Sequence, residues 1–216
     1  MNEYINVTQQ LFKGFGENCF IFAVTLLLAL PLGLIVSTGS MSKFKPLKWL
    51  TKAFVWVIRG TPLMLQLFVV FYVPPLVTGG SFSFPRMNAA LIAFVINYAA
   101  YFSEIYRGGI ESIPKGQYEA AAVLGYSRIQ TFWKIIFPQM VKRVLPPVTN
   151  EVITLVKDTS LAFALAYTEM FTLAKQVAAS MASIMPLFIA GLFYYIFNFV
   201  VAMVMEQIEK RMQYFD

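Results

Sequence analysis

Glu151, Asp158 and Glu169 interrupt an otherwise apolar stretch between Pro147 and Phe171. If that stretch is one helix, the acids are separated by about 700° and 1100° of rotation, so all three fall within about 20° of one meridian. Leu155, Ala162 and Leu165 share the stripe. A carboxylate near the middle of a bilayer costs roughly 2.5 to 3.5 kcal/mol, which turns such a stripe toward the interior of an assembly. Two uses stay open for Asp158 and Glu169: meeting a substrate ammonium group, or fixing helix geometry by pairing with neighbours. Thr61, Gln66, Asn97, Thr159, Ser160 and Asn198 are the other polar groups set within apolar segments. They are candidates for a solute path, or ordinary groups that bond their own carbonyls and staple helices. Catalysis is poorly supplied. There is no His, Cys19 stands alone, no group of acids converges on one side, and no G-x-x-x-x-G-K-[ST] run would cradle a nucleotide. The expectation is a non-catalytic chain that holds no metal and no cofactor of its own.

The elements carrying these residues lie in lipid. Of 216 residues, 58% are apolar and only 13% charged, and the mean hydropathy is +0.65. Disorder is excluded by the abundance of buriable surface, and a disulfide scaffold by the lone cysteine. An uncharged run of about 18 residues marks a membrane-spanning helix. Four segments qualify or nearly do: between Glu17 and Lys43, from Ala53 to Val77, from Met87 to Ser103, and from Gln176 to Met205; the acidic segment from Pro147 to Phe171 reads as one more apolar helix despite its charges. Pro31 and Gly33 predict a kink in the first, and Pro74 with Pro75 marks the outer end of the second. The predicted fold is therefore an all-α integral membrane protein of about five transmembrane helices, forming a single domain over residues 1–216.

Charge decides the orientation. Five spans put the termini on opposite sides, and Lys and Arg concentrate on the cytosolic one. Lys43, Lys45, Lys48, Lys52, Arg59, Arg107, Lys115, Arg128, Lys134, Lys142, Arg143, Lys210 and Arg211 fall on one side, against Lys13, Arg86 and Lys175 on the other, with Lys157 inside a span. The amino terminus is expected outside and the carboxyl terminus in the cytosol. The formal net charge of +6 is then topological, and nucleic acid is not an expected partner.

Residues 104–144 form a cytosolic loop too apolar to be disordered. Pro114 breaks the chain, and a helix follows with Ala120, Ala121 and Ala122 at its centre. Gly125 is placed to end it in the left-handed conformation. Ser127 with Gln130 reads as a capping box, Ile129, Phe132, Trp133 and Ile136 follow at helical spacing, and Pro138 closes the second helix. The residues alone leave this elbow either lying on lipid headgroups or docking a cytosolic partner through Glu119.

The run Glu119-Ala120-Ala121, then Gly125, Ile135 and Pro138, resembles the Glu-Ala-Ala loop of permease subunits in type I ATP-binding-cassette importers. Four further runs resemble the polar amino acid branch of that superfamily: Arg59-Gly60-Thr61-Pro62-Leu63 with Gln66-Leu67, Ser103 to Ile110, Ser112 to Gln117, and Leu145-Pro146-Pro147 before Lys157-Asp158-Thr159-Ser160-Leu161. The likeness covers roughly residues 56–169. It implies a permease in a bacterial inner membrane, paired with a copy of itself or a paralogue. It also implies two cytosolic ATPase subunits, which hold the ATP and Mg, and an extracytoplasmic binding protein that delivers the amino acid. Glu119, Ala120, Ala121, Gly125 and Pro138 are then the ATPase-coupling residues, and Thr61, Gln66, Asn97, Asp158, Thr159, Ser160 and Glu169 the substrate-path candidates. Glutamine, cystine, histidine and basic amino acids are all open substrates, with the acidic stripe leaning toward basic ones. The alternative class is an ion-coupled secondary amino acid transporter or channel, for which internal inverted repeats would be expected and are not found.

Overall fold

The computed structural model describes residues 2–212, and every regular element among them is helical. Helix α1 (Asn2–Ser40) is unbroken for 39 residues, with Pro31 inside it. At 1.5 Å per residue it is about 58 Å long, so it overhangs a hydrocarbon core of about 30 Å and reaches well beyond the expected Glu17 boundary. Gly33 has a packing role: a Cβ there would come within 2.8 Å of the Phe102 Cβ and 3.1 Å of the Ala99 carbonyl. The bare backbone lets α1 press against α4.

The second expected span is two helices. α2 (Lys45–Arg59) and α3 (Leu63–Val77) are separated by Gly60, Thr61 and Pro62 and bend by 108°. Pro62 explains the break, because its ring disfavours helical backbone at Thr61. Pro62 itself takes an extended conformation, φ −63° and ψ 137°, as the N-cap of α3. Pro74 and Pro75 lie in the last turns of α3, and the Pro74 carbonyl accepts the Thr78 N–H at 3.0 Å.

Helix α4 (Arg86–Glu111) is the spine. Ala89, Ala90, Ala93, Phe94, Tyr98, Ala99 and Phe102 are all buried along it, and α1, α2, α3 and α7 pack around it. Its many alanines allow close approach of neighbours, which is how helices associate where lipid is as apolar as leucine. A second apolar cluster joins Val7 and Leu11 of α1 to Met170, Ala174 and Ala190.

After α4 come α5 (Lys115–Val123), the four-residue α6 (Arg128–Thr131), a π-turn (Phe132–Ile136) and α7 (Phe137–Asp158). The expected fourth span is broken at Asp158 by a 3-10 segment (Thr159–Leu165), and Ala166 takes left-handed backbone, φ 51°. Helix α8 (Met170–Ser180) then starts afresh, and residues 181–184 lead into α9 (Met185–Met212). The expected fifth span thus begins at Met185, since 176–180 belong to α8. By length and apolarity α1, α4 and α9 can each cross a membrane, and α2 with α3 can count as one more bent span. Helix α7 has the length, roughly 33 Å for 22 residues, but carries Lys142, Arg143, Glu151, Lys157 and Asp158.

Candidate functional site

The elbow is built by local chemistry. Pro114 precedes α5 with extended backbone, and at the far end Gly125 sits at φ +77°. The Tyr126 N–H donates to the Ala121 carbonyl and the Gly125 N–H to that of Ala122, both at 3.0 Å, which is the double-bonded glycine stop of a helix. Two residues on, the Gln130 N–H donates to Ser127 Oγ at 3.3 Å while the Ser127 N–H donates to Gln130 Oε1 at 2.9 Å. Both ends of the turn are therefore fastened. Ala121 is fully buried beneath the elbow, whereas Glu119, Ala120, Gly125 and Pro138 are exposed. At its tip Val123 is 87% exposed, Leu124 73% and Ile129 73%, leaving an apolar surface flanked by the Glu119 carboxylate.

Pro138 does not close a helix as its sequence context suggested. The π-turn carries the Phe137 N–H to the Phe132 carbonyl, and Pro138 then falls in the first turn of α7. The wider π-turn lets the chain accommodate the ring, so the elbow continues helically into the bundle. Arg143 on α7 donates to the Ser112 carbonyl at 2.6 Å, tying α7 to the end of α4.

The bend between α2 and α3 gathers three of the expected path residues. Gln66 Nε2 donates to the Ile58 carbonyl at 2.8 Å, the Thr61 carbonyl at 3.1 Å and Thr61 Oγ1 at 3.0 Å. Its Oε1 accepts from Asn97 Nδ2 at 3.0 Å. The break frees carbonyls at the end of α2, and a buried carbonyl without a partner is costly. Gln66 supplies those bonds and Asn97 fixes Gln66 to α4, so Thr61, Gln66 and Asn97 form one network around the bend.

The acidic stripe does not form. Because the helix ends at Asp158 and a new one starts at Met170, Glu169 is not in register with Glu151 and Asp158. Glu169 is instead fully buried at the start of α8. It accepts the N–H groups of Phe171 and Thr172, each at 2.7 Å, and the Thr172 hydroxyl at 2.9 Å. Asn18 Nδ2 donates to it at 3.1 Å and the Tyr194 hydroxyl at 3.3 Å. Asn18 also donates to Thr159 Oγ1 at 3.1 Å and accepts the Met170 N–H at 3.1 Å. A carboxylate at a helix N-terminus is stabilised by the orphan N–H groups and the helix dipole, so this cluster joins α1, the 3-10 segment, α8 and α9 within the bundle.

Asp158 is partly buried and accepts the Tyr98 hydroxyl of α4 at 2.8 Å. Thr159 and Ser160 donate to the carbonyls of Val156 and Lys157, both at 2.8 Å, the ordinary intrahelical arrangement. Sequence reasoning missed Asn18, Tyr98 and Tyr194. Asn18 adjoins the apolar run that begins at Cys19, and as a buried-side amide at the edge of a span it carried the available signal. Among the described residues no group of His, Cys, Asp and Glu is arranged to hold a metal ion.

Comparison with known proteins agrees with this architecture. Residues 29–214 match the family described as "Binding-protein-dependent transport system inner membrane component". The L-cystine transport system permease protein TcyB of Bacillus subtilis (strain 168) is 39% identical over 195 residues, covering 89% of this chain and 80% of the relative. The arginine transport system permease protein ArtQ of the same organism is 33% identical, covering 94% and 92%. Among solved structures, an amino acid ABC transporter crystallised with histidines superposes with a TM-score of 0.87 at 26% identity, over 97% of both chains. The MetNI methionine ABC transporter shares the fold alone, with a TM-score of 0.70 at 15% identity over 96% of both chains. A helical, multi-pass, non-catalytic chain whose likeness runs nearly end to end thus belongs to the binding-protein-dependent inner membrane component family, among the permease subunits of amino acid ATP-binding-cassette importers.

Proposed function

We propose that this chain forms one side of the membrane path for a polar amino acid, delivered by an extracytoplasmic binding protein and driven by ATP hydrolysis on separate cytosolic subunits. One observation carries the reading: the doubly fastened elbow, which presents Val123, Leu124 and Glu119 outward and continues helically into α7. An element fixed at both turns transmits displacement, while a loose loop absorbs it. Glu119, Ala120, Ala121, Gly125 and Pro138 are the coupling residues in this account. Ala121 seats the elbow, Gly125 shapes it, and Pro138 opens the helix through which motion reaches Asp158. ATP and Mg are held by the partner, since this sequence has no phosphate-cradling loop.

The full assembly would hold two ATPase subunits and a second permease, identical or paralogous, with the solute passing between the two permeases. The whole chain acts as a single permease domain. The charge asymmetry supports an external amino terminus and a cytosolic carboxyl terminus. Relatives named for cystine, arginine and glutamine support a polar amino acid as the solute. The lean toward a basic one now rests on Glu151 and Asp158, because Glu169 is engaged inside the fold. Thr61, Gln66, Asn97, Thr159 and Ser160 serve the path by holding the bend and the helix break beside it. The test is Glu119→Lys in membrane vesicles energised with ATP. Unchanged insertion with uptake lowered at least tenfold is expected; normal uptake by the variant removes the coupling assignment.

A further inference from the structure

Helix α2 differs from its neighbours in charge and direction. Lys45, Lys48, Lys52 and Arg59 fall within about 60° of one another around its axis, and Trp49 and Trp56 beside them are 73% and 80% exposed. Leu47, Leu50, Phe54 and Val57 on its other side are exposed as well. The 108° bend turns α2 steeply away from the direction of α3. An amphipathic helix with a basic face and tryptophans is suited to the membrane interface. Lys43, two residues before α2, shares a groove with Tyr118, Ala122, Tyr126 and Arg128 of the elbow region, so α2 starts on the elbow's side of the bundle.

Between α2 and α4 opens a cleft of about 820 Å³ lined by Trp49, Lys52, Trp56, Arg59, Tyr101 and Arg107, with Glu104 at its wall. Glu104 is already engaged: Arg107 donates to both of its oxygens at 2.9 and 2.8 Å, and Arg59 lies 3.5 Å away. Arg59 also stands over the Tyr101 ring at 5.1 Å. Three cations, Lys52, Arg59 and Arg107, therefore face one carboxylate in the cleft.

We propose that this cleft binds the headgroup of an anionic phospholipid from the leaflet on the elbow's side, its phosphate between Lys52 and Arg59, with Trp49 and Trp56 flanking it at the interface. Basic pockets between transmembrane helices recognise such headgroups, and each nearby Lys or Arg strengthens the attraction. Because α2 joins α3 through the Gly60 bend, the lipid tethers the arm on which that bend turns. The inference is independent of which solute is carried.

The test uses the chain in its purified assembly, reconstituted in vesicles containing equal mole fractions of phosphatidylglycerol and phosphatidylcholine. One lipid at a time carries a photoactivatable group near the headgroup, and labelled peptides are mapped. Residues 45–59 should be labelled about fivefold more by phosphatidylglycerol than by phosphatidylcholine. The double variant Lys48→Gln, Lys52→Gln should lose most of that preference, while Lys48→Arg, Lys52→Arg should keep it. Equal labelling by the two lipids overturns the proposal, as does a preference unchanged in the Gln variant. Absence of labelling by either lipid also overturns it, because a second protein chain would then cover the cleft.

Discussion

Glu169 and Asp158 look equivalent in the sequence and are held differently. Glu169 accepts backbone N–H groups at the start of α8 together with Asn18 and Tyr194; Asp158 accepts from Tyr98 and is only partly buried. The difference was illegible because the stripe argument needs one continuous helix, and no glycine or proline stands between Asp158 and Ala166 to announce the break. Long-range bonds from Asn18, more than a hundred residues away, select it. Gly125, Ser127 and Gln130 were legible because their bonds close within a few residues. A paired substitution separates the two acids. Glu169→Ala should lower the thermal midpoint of the purified assembly, each group orphaned costing about 1 to 3 kcal/mol, and leave the KM of the remaining folded transporter unchanged. Asp158→Asn should raise the KM for basic amino acids while leaving that midpoint nearly in place. A raised KM in a Glu169→Gln protein of normal stability would return Glu169 to the solute path.

At the level of elements, the sequence carried every break that glycine or proline enforces, yet assigning those breaks their consequence required the tertiary partners. Gly60 and Pro62 stand between α2 and α3, but reading apolarity alone ran one span across both. Pro138 reads as a stop in the sequence, whereas the π-turn before it keeps the chain helical into α7. The elbow's glycine turn and capping box fall where expected because both are local, while its second helix runs on past Pro138 into α7. Substituting Gly125 by Ala forces a side chain into left-handed backbone at φ +77°, a cost of about 1 to 2 kcal/mol. That strain is small against insertion of the bundle and large for a two-state switch. Normal membrane abundance with ATP-driven uptake lowered several-fold is the expected result; equal uptake would mean the turn tolerates other geometries.

Across the whole molecule, α4 forms a small-residue spine beneath α1, α2, α3 and α7, and the elbow hangs from the end of that spine and the start of α7. The membrane character and the all-helical class were plain from composition, since 13% charge cannot clothe a water-soluble surface of this size. The number of independent spans was less plain, because α7 reaches the required length but carries charges along it, and only packing makes such a helix tolerable. In the proposed mechanism, motion supplied from outside the chain enters through the elbow. The direct measurement is initial uptake of radiolabelled amino acids into proteoliposomes holding the complete assembly, with intact ATPase subunits or with subunits that bind but cannot hydrolyse ATP. Uptake should require hydrolysis and fall to the background of empty vesicles without it. Uptake at the full rate with the inactive ATPase would contradict the account.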